Sequence, residues 1–174
     1  MQTSEKGKAE DAAKNNHGTW YDFQVTDYAL FLDKRQLAAD TLNRVKTRRI
    51  TLQIEPDGRQ PLELARTNAS SYSIGNLDGL MQLASLGDQV GVDLWNFRAP
   101  DGRSIRSALD FLLPYTTGVK KWDYQQIGGF HGDALLDLLQ RAATKYHDPR
   151  YTVAIEQLSK GKDDLETVLL NQNR

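Results

Sequence analysis

The sequence predicts an all-α fold, on three observations. Apolar residues recur at helical spacing through most of the chain. The links between these stretches are short and carry turn chemistry, as in Pro56-Asp57-Gly58 and Pro100-Asp101-Gly102. Only Val90 to Phe97 is short and apolar enough to read equally well as a strand or as an extended packing segment. With 174 residues, 39% of them hydrophobic and 26% charged, the chain is expected to form one domain, residues 1–174, with its own core.

The elements follow in order. Trp20, Phe23 and Leu30 share one helical face while Tyr21, Val25, Tyr28 and Leu32 share another, which predicts an inner helix packed on two sides. Asp33 is the expected N-cap of the next helix, where Ala38, Leu42 and Val45 form the apolar stripe. Lys46, Arg48 and Arg49 at its end complement the helix dipole on a solvated face, or attract a polyanion. Gln53 to Pro61 reads as a loop, and a helical turn resumes at Leu62. Glu63 precedes Arg66 by one turn and is placed to pair with it. Arg66 and Tyr72 would diverge on one straight helix, so a break is required, with Ser70 or Ser71 capping a helix that presents Ile74, Leu77, Met81 and Ala84 and stops at Gly87. Ser104 caps a helix through Ile105, Ala108, Leu109 and Leu112 up to Pro114. Thr116 to Phe130 is loop-like. Two more helices follow, one through Leu135, Leu138, Leu139 and Ala142, the other from Asp148-Pro149, with a last short one starting at Asp163 or Asp164.

Composition removes several classes of function. A net charge of −1 gives no global attraction for nucleic acid or an anionic membrane, so a polyanionic ligand needs a local cationic site. With no cysteine there is no disulfide, thiolate nucleophile or Cys-ligated metal. The polar residues 1–16 lack the apolar core of an export signal, and no segment has the long uncharged run of a membrane span. His17, His131 and His147 are the only histidines, and none has the spacing that places two metal ligands on one helical face. Nucleophile-elbow, phosphate-loop and dinucleotide-binding glycine patterns are absent as well.

What remains is a distinctive set. Asn15-Asn16-His17-Gly18-Thr19-Trp20, Leu64-Ala65-Arg66-Thr67 and Tyr72-Ser73 supply an amide, an imidazole, a guanidinium and a phenol. That set can bind a carboxylate while a phenol moves a proton on the neighbouring carbon, with no need for a metal or an organic cofactor. Together with Gln53 to Thr67, Asn76-Leu77, Asp93-Leu94-Trp95 and Pro100 to Ser104, these runs resemble the alginate lyase superfamily over roughly residues 10 to 116. The short Arg-to-Tyr spacing is closest to the alginate and glucuronan lyase branch. The resemblance implies an (α/α) toroid of helical hairpins, of which this chain looks like the C-terminal half. It also implies a periplasmic or secreted setting and an acidic polysaccharide as partner. Self-association is expected if apolar helix faces lack their neighbours.

By the same resemblance, Asn16 and His17 neutralise the uronate carboxylate, Arg66 shares that charge, and Tyr72 carries the proton. A phenol becomes a usable base only where a cation favours its phenolate, and Arg66 is the candidate. In mannuronate and glucuronate the C5 hydrogen and the O4 leaving group lie on one face of the ring, so Tyr72 can serve as both base and acid. In guluronate they lie on opposite faces, and His17 would be the base. Asn15, Trp20, Glu63 and Trp122 complete the candidates as substrate-binding residues. Trp20 lies in an apolar helical pattern that favours packing, whereas Trp122, near Lys120, Lys121 and Gly128, is the better sugar platform. The alternative to a lyase is an inactive fragment or a carbohydrate-binding helical module that keeps these residues without a complete cleft.

Overall fold

The computed structural model describes residues 3–172, with side chains described over 3–160. The described residues form eight α-helices: α1 Glu5–Ala12, α2 Asn16–Phe31, α3 Arg35–Val45, α4 Pro61–Leu64, α5 Ala69–Val90, α6 Ile105–Thr116, α7 Leu136–Tyr146 and α8 Pro149–Gln172. A π-helical turn, Lys46–Thr51, continues α3, and a 3-10 turn, Gly132–Leu135, leads into α7. Among the described residues the only β-type pairing is an isolated bridge between Asn68 and Gln126. The protein is all-α. It folds as two compact units, one built from the chain up to Phe111 together with Tyr124–Gly129, the other from Leu112–Asp123 and the chain from Phe130 onward.

In the first unit α2 packs against both α3 and α5, which matches its two apolar faces. Tyr21, Val25 and Ala29 meet a core that includes Ala38, Leu42 and Val45 of α3 and Leu77, Leu80, Met81 and Ala84 of α5. Toward its C-terminus α2 departs from the expected pattern, since Tyr28, Phe31 and Leu32 are exposed, Phe31 at 86%. Of the stretch from Val90 to Phe97, Val90 closes α5 and Gly91 turns the chain, while Val92 to Phe97 is an irregular packing segment rather than a strand, with Val92, Leu94 and Trp95 buried. In the second unit α7 packs on α8 through Leu138, Leu139 and Ala142, with Tyr151 and Ala154 also buried.

Several boundaries differ from the sequence expectation, each for a physical reason. Asp33 does not cap α3. It sits at φ 54° as the left-handed residue that ends α2, where Asp33 N–H donates to Leu30 O and Lys34 N–H to Ala29 O at 2.7 Å. This closes the helix end with the paired bonds of a Schellman motif and leaves Lys34 at the start of α3. Neither Ser70 nor Ser71 caps α5, which begins at Ala69 because residues 125–127 come to its first turn. Ala69 N–H donates to Gln125 O at 3.0 Å and Ser70 N–H to Gln126 Oε1 at 2.9 Å. α5 then passes Gly87 and stops at Gly91, whose φ of 73° only glycine adopts cheaply. Gly87 serves the chain reversal instead: its carbonyl accepts Val92 N–H, and a Cβ there would lie 2.2 Å from Val92 O. α6 runs past Pro114 to Thr116, since a proline in the last turn removes a single N–H. No separate helix starts at Asp163 or Asp164, because α8 continues through both.

The basic cluster after α3 is not a solvated face. Arg49 and Asp22 are each only 2% exposed and pair at 2.7 Å. Arg49 also donates to Ala13 O and Asp11 O, at 2.6 and 2.9 Å, and Arg48 donates to Asp11 O at 2.6 Å. Two guanidinium groups therefore satisfy carbonyls at the C-terminal end of α1, which have no intrahelical donors. Gly18 is required beside them, since a Cβ would lie 2.3 Å from an Arg49 nitrogen and 2.2 Å from Ala13 O.

Candidate active site

The site is built where α2 begins. Asn15 is the N-cap, its Oδ1 accepting His17 N–H at 3.2 Å. Asn16, the first helical residue, donates its backbone N–H to Glu63 Oε1 at 2.7 Å. Glu63 is 1% exposed, so α4 delivers a buried carboxyl to the positive end of the α2 dipole. Burial pushes the Glu63 carboxyl above the usual carboxylate range, opposed by the Asn16 hydrogen bond and by the charges of Arg66 and His17. Glu63 was expected to pair with Arg66. It is spent on Asn16 instead, because the turn at Pro61 directs its side chain into the fold.

Arg66 lies 4.0 Å from the centroid of the Tyr72 ring, a cation over an aromatic face. The break between α4 and α5 supplies this meeting, which one continuous helix forbids. The structure thus brings Asn16, His17 and Arg66 within electrostatic reach of Glu63, with Tyr72 attached through Arg66. Asn16 Oδ1 and Glu63 Oε2 are buried and have no protein partner, nor have Ser73 Oγ and Asn76 Oδ1. Buried polar atoms carry a desolvation cost that a folded protein normally offsets with hydrogen bonds.

A buried polar network sets the spacing between α2 and α5. Asn76, 0% exposed, donates to Gln53 Oε1 at 2.9 Å and to Gln60 Oε1 at 2.7 Å. Gln53 also accepts from Thr19 and donates to Asn15 O, and Gln60 donates to Ser73 O. None of Gln53, Gln60 and Asn76 is chemically distinctive on its own. The signal in the sequence was their place inside or beside the motif runs.

His17 is exposed, and its Nδ1 lies 2.9 Å from Glu10 Oε2. Both line a cavity of about 430 Å³ shared with Lys6, Asn16, Trp20 and Gln24. Trp20 is therefore not purely a core residue: it is half-buried, meets Phe23 edge to face with centroids 5.5 Å apart, and contributes to the cavity wall. Trp122 belongs to the second unit. There it packs against Tyr115 at 4.9 Å and stacks on Phe130 at 5.1 Å, an aromatic cluster with its own packing role. Among the described residues no three His, Cys, Asp or Glu side chains are grouped to hold a metal ion, and no helix is long and apolar enough to cross a membrane.

The all-α fold is shared with a known protein. The alginate lyase family matches residues 1–122, which is most of the chain. An alginate lyase from Bacteroides ovatus, known from its crystal structure, is similar with a TM-score of 0.85 and 40% sequence identity. The similarity covers 91% of this chain and 42% of that one, so this chain spans less than half the length of that relative. No curated protein matches. The chain belongs to the alginate lyase family.

Proposed function

We propose that this chain acts as a polysaccharide lyase, forming a single functional domain that cleaves a uronate polymer by β-elimination without a metal or organic cofactor. Alginate rich in mannuronate, or glucuronan, is the substrate class. The observation that carries the reading is the Arg66 guanidinium set 4.0 Å from the Tyr72 ring, with Glu63, three residues before Arg66, bonded to the Asn16-His17 helix start. Elimination takes the C5 proton, forms the C4–C5 double bond and breaks the bond from C4 to the leaving O4. Negative charge builds on the C6 carboxylate meanwhile, and the Asn16 amide, His17 and Arg66 are the groups proposed to share it. Arg66 sets a positive charge over the ring of the proton carrier. Tyr72 takes the proton from C5 and returns it to O4, an economy available where both lie on one face of the sugar. Asn15 and Glu63 hold the start of α2 in place, Trp20 offers a sugar-facing surface beside His17, and the protein works where such polymers occur, outside the cytoplasm.

Ultraviolet absorbance tests this directly, because elimination leaves an unsaturated uronyl end and binding alone does not. Incubation with polymannuronate or glucuronan is expected to raise the absorbance. Tyr72→Phe keeps the ring and removes only the proton carrier, so it is expected to abolish turnover while oligosaccharide binding persists. Binding without any rise in absorbance on any uronan identifies the chain as a carbohydrate-binding module instead.

A further inference from the structure

Glu10 stands on the last turn of α1 with Oε2 2.9 Å from His17 Nδ1. An ionised carboxylate only accepts hydrogen bonds, so the proton between the two belongs to Nδ1. In the neutral ring this leaves Nε2 with its lone pair; in the imidazolium it leaves Nε2 as a donor. Asn15 fixes the His17 backbone independently, through the bond from His17 N–H to Asn15 Oδ1. The carbonyls just beyond Glu10 are fixed in turn: Asp11 O and Ala13 O accept from Arg48 and Arg49, and Arg49 is anchored in the buried pair with Asp22. The imidazole is thus held at its backbone by α2 and at its ring by a braced end of α1.

We propose that Glu10 is a positioning residue for His17: it keeps a proton on Nδ1 and leaves Nε2 for the adjoining cavity, where the imidazolium form donates Nε2–H to a uronate carboxylate. The tautomer part stands without the lyase reading, and the uronate part rests on it. The pair is about half exposed, 54% for His17 and 47% for Glu10, so a structural ion pair at this place would contribute little. The effect is carried by which nitrogen bears the proton, as in other sites where a carboxylate orients a working imidazole.

The test reads the ring itself. In nitrogen-15 imidazole correlation spectra of the whole chain, the His17 signals are those lost in His17→Gln. At a pH where the ring is neutral, wild-type His17 is expected in the Nδ1–H form. Glu10→Ala is expected to shift it to Nε2–H, and Glu10→Gln to keep Nδ1–H because the amide oxygen still accepts. On polymannuronate, Glu10→Ala is expected to lower kcat/KM by about tenfold, with Glu10→Gln closer to wild type. An Nε2–H ring in the wild type, or a ring unmoved by Glu10→Ala, overturns the proposal whatever the turnover. So does a shifted tautomer with unchanged kcat/KM in an active enzyme. A wild type that binds without turnover but keeps the Nδ1–H ring overturns the lyase reading and leaves the positioning role of Glu10 standing.

Discussion

Replacing Arg49 by methionine is the perturbation on which the fold around the site depends most. The substitution keeps an unbranched side chain of similar reach and removes the guanidinium, leaving the Asp22 carboxylate without its 2.7 Å partner at 2% exposure. Breaking a buried pair from one side costs about 3–5 kcal/mol, because the remaining charge stays desolvated. Ala13 O also loses its 2.6 Å donor, whereas Asp11 O keeps Arg48. Taken together the loss is about 4 kcal/mol, and for a chain of this size it lowers Tm by roughly 10 °C. Urea unfolding followed by far-ultraviolet circular dichroism measures it. The Asp22→Leu, Arg49→Met double variant is expected to recover most of the stability, since no charge is then left buried alone. As a control, Arg59→Met removes a half-exposed pair with Asp57 and should leave the transition unchanged. An Arg49→Met variant within about 1 kcal/mol of wild type, or a double variant less stable than the single one, would refute the reasoning.

Other outcomes follow from the same contacts. The folded Glu63 pKa is raised by burial above its unfolded value. The stabilisation from Glu63 is therefore complete below the ordinary carboxylate range and is lost as pH rises through the elevated folded pKa. Glu63→Gln, which cannot titrate, should show a stability difference from wild type that changes across that weakly acidic window; parallel slopes in paired urea titrations would contradict it. Asn76→Leu leaves Gln60 Oε1 without its 2.7 Å donor and loosens the link between α2 and α5, a cost of about 2–3 kcal/mol; a smaller loss by chemical unfolding would show that the network rearranges. On a panel of defined uronans, polymannuronate or glucuronan should be cleaved faster than polyguluronate, and the reverse order would move the base role from Tyr72 to His17.

The sequence by itself determined where helices form and which residues to suspect. The two-faced pattern from Trp20, the stripes of α3 and α7, the Ser104 cap, whose Oγ accepts Ser107 N–H at 3.0 Å, and the need for a break between Arg66 and Tyr72 all arise within a few turns of chain. Periodicity and local capping are fixed at that range, so they are legible. The motif runs were legible for a different reason: their residue types are chemically unusual together.

Only the tertiary structure decided who meets whom. Arg49 read as part of a solvated basic cluster until Asp22, 27 positions away, arrived beside it in the core. Ser70 and Ser71 were reasonable caps for α5, but residues 125–127, more than fifty positions on, bring backbone and side-chain acceptors to its start. Glu63 had a helical neighbour in Arg66 and turned instead to the Asn16 N–H, 47 positions back. Each departure has the same cause. A polar group buried by packing must take whatever partner the packing brings, because an unpaired one costs more than a local preference contributes.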